Sequence, residues 1–276
     1  MSSAHLYAQE TEFALLERLL PHLQSRTFLD IGAEKGTFAQ FLLDRGCTGT
    51  LFEPFPGHQA ALAELAARTG AKVMNCAVDR EDRQAQFHVA SDEAGQAVDY
   101  YHSLHKIEAD DRVRHTKVID VQCRSLASLA AAGEIPTKIG VLKTDTEGND
   151  LAVMQGIGPV HAEVLICEFF TEGLYRGWRD AHPRGLIERA EQMGFSQYLA
   201  FKRWEGQEIV SLKPAVFLPK QWGNLVFLRL KTFRDAQESI LKLVAASEQR
   251  LFEAVNDLTK AATEKEAVIQ RLLARS

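Results

Sequence analysis

The sequence predicts an α/β chain with a mostly parallel sheet, an antiparallel pair at one edge and a long C-terminal coiled-coil helix. Three observations predict it. Short β-prone runs alternate with helix-period segments between residues 27 and 230, the pattern of successive βαβ units. The last two β-prone runs, 195–203 and 224–231, follow one another in the chain, which suggests an antiparallel pair at one edge. All 18 glycines and 8 prolines precede residue 231, and the final 46 residues contain neither. The 276 residues divide accordingly into an N-terminal helical segment (1–24), an α/β domain (25–230) and a C-terminal helix (231–276).

The elements read in order as follows. TFLDI (27–31) is a strand, followed by a glycine turn and a helix through about Arg45. TGTLFE (48–53) is a second strand; PFPGH then turns into a helix through about Arg68. AKVMNCAV (71–78) is a third strand, QAQFHVA (84–90) a short β excursion, and VIDVQC (118–123) an extended run before a helix to about Ala132. KIGVLKTD (138–145) is an apolar strand ending in polar residues, with a helix from about Gly148. AEVLICEFF (162–170) is a further buried strand and HPRGLIERAEQMG (182–194) a helix. FSQYLAFKR (195–203) and NLVFLRLK (224–231) close the sheet. No internal repeat is visible.

In the tail, heptad position a falls on Leu241, Glu248, Val255, Ala262 and Ile269, and position d on Val244, Leu251, Leu258, Lys265 and Leu272. Eight of these ten are apolar, which favours a self-associating seam. An amphipathic helix folded back on the domain is the alternative. The seam is still running at the last residue, as in a chain that continues in a longer protein.

Composition bounds the function. Hydrophobic residues are 46% and charged residues 25%, so the chain is neither disordered nor a small disulfide scaffold. The net charge is -5, and the tail contributes +1 of it, leaving the domain at about -6. No basic field exists to grip nucleic acid. Cys47, Cys76, Cys123 and Cys167 are too far apart for a CxxC site and read as reduced thiols, mostly in the core. The N-terminus has no secretory apolar stretch, and no run reaches the ~18 apolar residues of a membrane span. A cytoplasmic compartment is expected.

Three clusters carry chemistry. Asp30-Ile-Gly32-Ala-Glu34-Lys-Gly36 follows a strand and opens a helix, where doubly wound sheets bind nucleotides. Its DxGxxxG spacing suits a nucleoside beside a glycine turn better than a dinucleotide; a purely structural turn is the alternative. Glu53 ends the next strand, placed to accept hydrogen bonds from ribose hydroxyls. Asn75, Cys76 and Ala77 close the third strand, where a base edge would lie, with Asn75 or Asp79 as polar contacts. Lys143-Thr-Asp145-Thr-Glu147-Gly148 follows the most apolar strand and can orient an acceptor, take a proton or bind a divalent cation. Capping of the next helix is the alternative. Glu168 points to the same mouth, so Asp145 and Glu168 are the candidate metal ligands. The polar segment 91–117 is long enough for a lid, and His105 within it is a second candidate base.

FLDIGAEKG (28–36), FEP (52–54), VLKTDTEGNDLAVMQG (141–156) and NLVFL (224–228), in this order over about residues 25–230, resemble the FkbM-type family of S-adenosylmethionine-dependent O-methyltransferases. The resemblance implies a Rossmann-like class I methyltransferase sheet, S-adenosylmethionine as donor and hydroxyls of sugars or polyketide-type metabolites as acceptors. It assigns Asp30, Gly32 and Gly36 to the cofactor loop, Glu53 to the ribose, and Lys143, Asp145, Glu147 and Gly148 to the second signature. Glu34 stands where the family usually has Asn, and Leu126-Ala127 where it often has Leu-Asp.

The expected function is methyl transfer to a sugar hydroxyl of a polysaccharide or glycolipid. Asp145 is the expected base, Lys143 and Glu147 position the acceptor, and His105 is the alternative base. The expected partners are the glycan acceptor, other copies of the chain through the coiled coil, and a glycan-assembly protein. Methylation of a small secondary metabolite, and a coiled-coil assembly protein with an inactive methyltransferase fold, are the competing readings.

Overall fold

The computed structural model describes residues 10–106, 114–172, 178–204 and 207–273. Residues 1–9 of the expected N-terminal segment lie outside them. The segment's remainder forms α1 (Glu10–Leu19) and a short 3-10 turn. The first βαβ units are β1 (Thr27–Ile31), α2 (Thr37–Leu43), β2 (Thr48–Phe52), α3 (Gln59–Thr69) and β3 (Lys72–Met74). Next come β4 (Ala77–Val78), β5 (Arg83–Ser91), β6 (Arg114–Arg124), α4 (Leu126–Ala131), β7 (Lys138–Thr144) and α5 (Asp150–Gln155). β8 (His161–Phe170), α6 (Pro183–Gln192), β9 (Gln197–Trp204), β10 (Gln207–Leu212), β11 (Trp222–Leu228) and α7 (Leu230–Leu273) complete the chain.

Eight strands form one sheet in the order β10-β9-β11-β8-β7-β1-β2-β3. β3, β2, β1, β7 and β8 run parallel, while β11, β9 and β10 pair antiparallel beyond β8. The central strands are covered on both faces, which is why they read as unbroken apolar runs. One core holds Phe28, Leu51 and Val141 against α1, α2, α3 and the start of α7. The other holds Leu29, Leu142 and Leu165 against α4, α5 and α6. Ser125 caps α4, its Oγ accepting from Ser128 N at 3.1 Å. All four cysteines are buried free thiols. Among the described residues, no helix is long and apolar enough to cross a membrane.

The third strand differs from expectation. Only Lys72–Met74 joins the main sheet; the chain then turns, and Ala77 and Val78 pair with Cys123 and Arg124 of β6 in a separate three-stranded sheet. The β excursion is correspondingly longer, since β5 and β6 pair along nearly their whole length. The sheet edge also differs: it has three antiparallel strands rather than two, because Gln207–Leu212 pairs with β9.

The C-terminal helix is 44 residues long. Its beginning packs on the domain: Ala236, Ile240, Leu243, Val244 and Ser247 are buried at the 3–4-residue spacing of one helix face. Ser247 Oγ accepts from Val210 N of edge strand β10 at 3.0 Å. Over these turns the folded-back arrangement replaces the seam. Leu241 is 45% exposed and Glu248 is exposed, while Val244 is spent on the domain core. The packing stripe wins here because β10 and α1 offer an apolar surface that the first turns cover. The side chains at seam positions 255, 258, 262, 265, 269 and 272 lie outside those described.

Candidate active site

The carboxyl ends of β1, β2, β7 and β8 converge on one cleft that is open to solvent. The loop after β1 is set by backbone contacts. Gly32 and Ala33 both donate to Phe52 O at 3.0 Å, and Asp145 N donates to Ile31 O at 3.0 Å. Gly32 has φ +73°, and a Cβ there would lie 1.9 Å from the carbonyl oxygen of Asp145. The two signature loops therefore cross where only glycine fits. Glu34 also adopts a left-handed conformation, with φ +52°. Asn tolerates that conformation better than Glu. Glu34 N donates to Glu53 Oε2 at 2.9 Å, and Phe55 N donates to Glu53 Oε1 at 2.8 Å. The buried Glu53 carboxylate is thus fixed at the end of β2, facing the cleft.

Beneath the loops lies a buried charged group. Lys143 Nζ is 3.3 Å from Asp30 Oδ1 and 3.4 Å from Asp145 Oδ2, and it donates to Gly32 O at 3.0 Å. Burial pushes Asp30 up to about 6 against the pull of Lys143. Burial would lower Lys143, but Asp30 and Asp145 outweigh it and hold the ammonium above the ordinary lysine value. Asp30 and Lys143 do not line the cleft; they support it from below.

Asp145, Glu147 and Glu168 face one another at the other end, with carboxylate oxygens within 4.8 Å. Glu147 has φ +53°. Asp150 holds this corner from behind: it accepts from Thr146 Oγ1 at 2.8 Å, Thr146 N at 3.3 Å and Glu168 N at 3.2 Å. Burial, with Asp145 nearby, raises Asp150 to about 7. Burial first, then the charges of Glu147 and Asp145, raises Glu168 well above the usual carboxylate range. Its Oε2 is buried without a hydrogen-bond partner among the described residues.

Of the residues expected at the cofactor, Gly32, Glu34, Glu53 and Ala77 line the cleft. Gly36 does not; it closes the turn against Leu65, whose Cδ2 a Cβ would meet at 2.5 Å. Asn75 is exposed and outside the lining, because the chain turns there to leave the sheet. His105 also misses the cleft, its Nε2 lying 3.3 Å from Asn149 Oδ1. His102, three residues earlier, does line it. Its Nδ1 accepts from Ala90 N at 2.9 Å, and burial lowers it to about 4, so the ring is neutral. His102 and Tyr101 belong to the described part of the expected lid. Tyr101 N donates to Glu147 Oε1 at 3.3 Å, and Ser103 Oγ donates to Glu147 O at 2.7 Å. Sequence reasoning missed His58, Arg203, Trp222 and Asn224, which complete the lining. His58 follows the Glu53 turn closely enough to have been read; the other three come from strands whose pairing no local motif reports.

The methyltransferase FkbM domain matches residues 30–201, more than half of the chain. The chain belongs to the FkbM methyltransferase family. It is a methyltransferase whose methyl donor is S-adenosylmethionine. No curated protein matches it in sequence. Solved structures similar to this FkbM chain include magnesium protoporphyrin IX methyltransferase from Synechocystis PCC 6803 with bound SAM, at 10% identity and TM-score 0.43 over 81% of this chain and 79% of that one. A putative RNA methyltransferase from Pyrococcus horikoshii aligns at 11% identity and TM-score 0.40 over 79% and 81%. Precorrin-6y C5,15-methyltransferase from Geobacter metallireducens aligns at 10% identity and TM-score 0.37 over 76% and 86%.

Proposed function

We propose that this FkbM-family methyltransferase methylates a sugar hydroxyl, with Asp145 as the base. The observation that carries the reading is the acidic group Asp145, Glu147 and Glu168 at one end of an open cleft whose other end holds the fixed Glu53 carboxylate. The residues fit the donor. Glu53 faces the cleft where a ribose would need an acceptor, Gly32 and Glu34 bring backbone close to it, and Ala77 offers a small apolar edge to the base. Bound S-adenosylmethionine supplies a methyl group on a positively charged sulfur.

A sugar hydroxyl is a weak nucleophile at neutral pH, so its proton must be accepted as the new bond forms. Asp145 projects from the loop that crosses Gly32, between Lys143 and the cleft, so its place is fixed relative to the donor site. Lys143 positions Asp145 rather than the acceptor, because its ammonium is engaged with Asp30, Asp145 and Gly32 O. Glu147 and Glu168 orient the acceptor's hydroxyls. Burial and the neighbouring charges of Glu147 and Asp145 raise Glu168 above the ordinary carboxylate range. The same three carboxylates could hold a divalent cation, which loss of turnover in a chelator and its return with magnesium would reveal. The open mouth suits a glycan, whereas a small apolar metabolite would call for an enclosed pocket. The distal part of α7 joins copies of the chain or tethers it to a cytoplasmic glycan-assembly protein.

The test combines calorimetry with S-adenosylmethionine and transfer of its labelled methyl group to a panel of glycosides, phenols and amines. Cofactor binding with label in a glycoside ether is expected. Label only in phenols or amines would overturn the sugar assignment. Absence of cofactor binding would leave the fold as a scaffold.

A further inference from the structure

The antiparallel strands that extend the sheet past β8 contribute a further surface to the cleft, of which only Asn224 falls in a motif, NLVFL. Their register decides its composition. Trp222 pairs with Arg203 across β11 and β9, and Asn224 pairs with Glu168 across β11 and β8. Residues two apart on one strand, and residues directly opposite on its neighbours, share a face. These four side chains therefore stand together, and all four line the cleft.

The group has an anchor below it. Glu12 of α1 is buried and accepts from Arg203 Nη2 and, at 2.8 Å, from Asn224 Nδ2. Arg203 also bonds Glu208 Oε2 through Nε at 3.1 Å, and its guanidinium carbon lies 5.3 Å from the Trp222 ring centroid. The indole is held on one side by a cation whose own position is locked by two carboxylates. Even so, Trp222 remains 37% exposed, at the mouth of the cleft. With its amide nitrogen given to Glu12, Asn224 keeps its carbonyl oxygen for an incoming donor.

We propose that Trp222, Arg203 and Asn224 form the acceptor subsite and that it takes a pyranose ring, the ring stacking its C–H face on the indole. This rests on the sugar-hydroxyl reading of the same cleft and names the part of it that recognises the sugar. A planar aromatic acceptor would also stack on Trp222, but its edge would leave the Asn224 carbonyl oxygen and the buried Glu168 Oε2 without donors, a costly way to cover polar atoms. A pyranose has an apolar face for the indole and a rim of hydroxyls for those oxygens. Glu12 is a positioning residue: it fixes Arg203 and Asn224 and touches nothing in the cleft directly.

Saturation-transfer NMR on the full chain with S-adenosylhomocysteine tests the subsite directly. The probes are methyl pyranosides of glucose, mannose and galactose, with phenol as the flat-ring competitor. At least one pyranoside is expected to receive saturation from aromatic protons. The signal should be lost in Trp222→Ala and weakened in Trp222→Phe, while calorimetric cofactor affinity stays within about twofold as the check on folding. For a pyranoside that is methylated, Trp222→Ala should raise KM at least tenfold with a much smaller change in kcat. Glu12→Gln should raise the same KM and leave the pH profile of kcat unmoved. Pyranoside binding that survives Trp222→Ala, or preferential binding of phenol, overturns the subsite. If glycosides are methylated but Trp222→Ala leaves KM unchanged, the subsite fails and the sugar reading stands. If no glycoside binds or is methylated and phenols are, both fail.

Discussion

The two ends of the cleft are built by different means. At the donor end the backbone does most of the work: Gly32 packs against the Asp145 carbonyl, and two backbone amides hold Glu53. At the acceptor end side chains do it: Asp145, Glu147 and Glu168 crowd together, with Arg203, Trp222 and Asn224 beside them. An invariant ligand can be met by a rigid backbone mould. A variable one is met by side chains, which can change without moving the chain.

Substitutions can break that contrast. The largest effect is expected for Gly32→Ala. A Cβ would strike the Asp145 carbonyl at 1.9 Å in a left-handed backbone, so strain and overpacking together should cost about 3 kcal/mol or more. Thermal unfolding should show this, with cofactor binding lost in calorimetry. Gly46→Ala, also left-handed but with nothing within 4 Å, should cost only about 1–2 kcal/mol and leave binding intact. Equal costs at the two glycines would remove the close-contact argument.

Asp145→Asn comes next. Turnover should fall at least ~100-fold with cofactor affinity retained, as expected when a base is removed. A variant with unimpaired kcat would take Asp145 out of the chemistry. Glu53→Gln should show the reverse pattern: about tenfold weaker cofactor binding, from the loss of a charged acceptor, with kcat recovered at saturation. If kcat fell and affinity did not, the two ends would not be separable.

The smallest effect is a pH slope. An unfolded Asp ionises near ~3.9, whereas burial keeps Asp150 protonated up to about 7 and Asp30 up to about 6. Between these values the folded chain binds more protons than the unfolded one. Their contribution is therefore complete below the unfolded pKa and is lost as pH rises through the folded values. Asp150→Asn should flatten the decline in melting temperature across that range, leaving the share due to Asp30. An unchanged slope would show that Asp150 does not carry it.

How much of this was legible follows from the same contrast. Residues in contiguous motifs at strand ends, Gly32 and Glu53 at the donor end and Asp145 at the acceptor end, could be found from spacing alone. Strand β10 went unread although Ile209, Val210 and Leu212 lie in it, because a short edge strand carries a weak period. The acceptor surface depends on pairing between distant segments: Glu12 and Arg203 are 191 residues apart, and Glu12 and Asn224 are 212 apart. Local pattern contains no record of such contacts. The tail misled for a related reason. A heptad stripe and a stripe for packing on a sheet have nearly the same period and here share Val244, and Ile240 and Leu243 on the buried face, against exposed Leu241, separate the two.

The pairing of β11 with its neighbours also constrains how this enzyme can change. Side chains alternate along a strand, so inserting or deleting one residue within β11 would turn Trp222 and Asn224 away from the cleft together. Lengthening the strand therefore cannot retune the acceptor end in small steps. On the proposed subsite, new acceptors are accessible by replacing side chains at 168, 203, 222 and 224, four positions on a fixed grid. That makes the antiparallel edge a natural place to build a library for altered specificity, with the donor end left untouched.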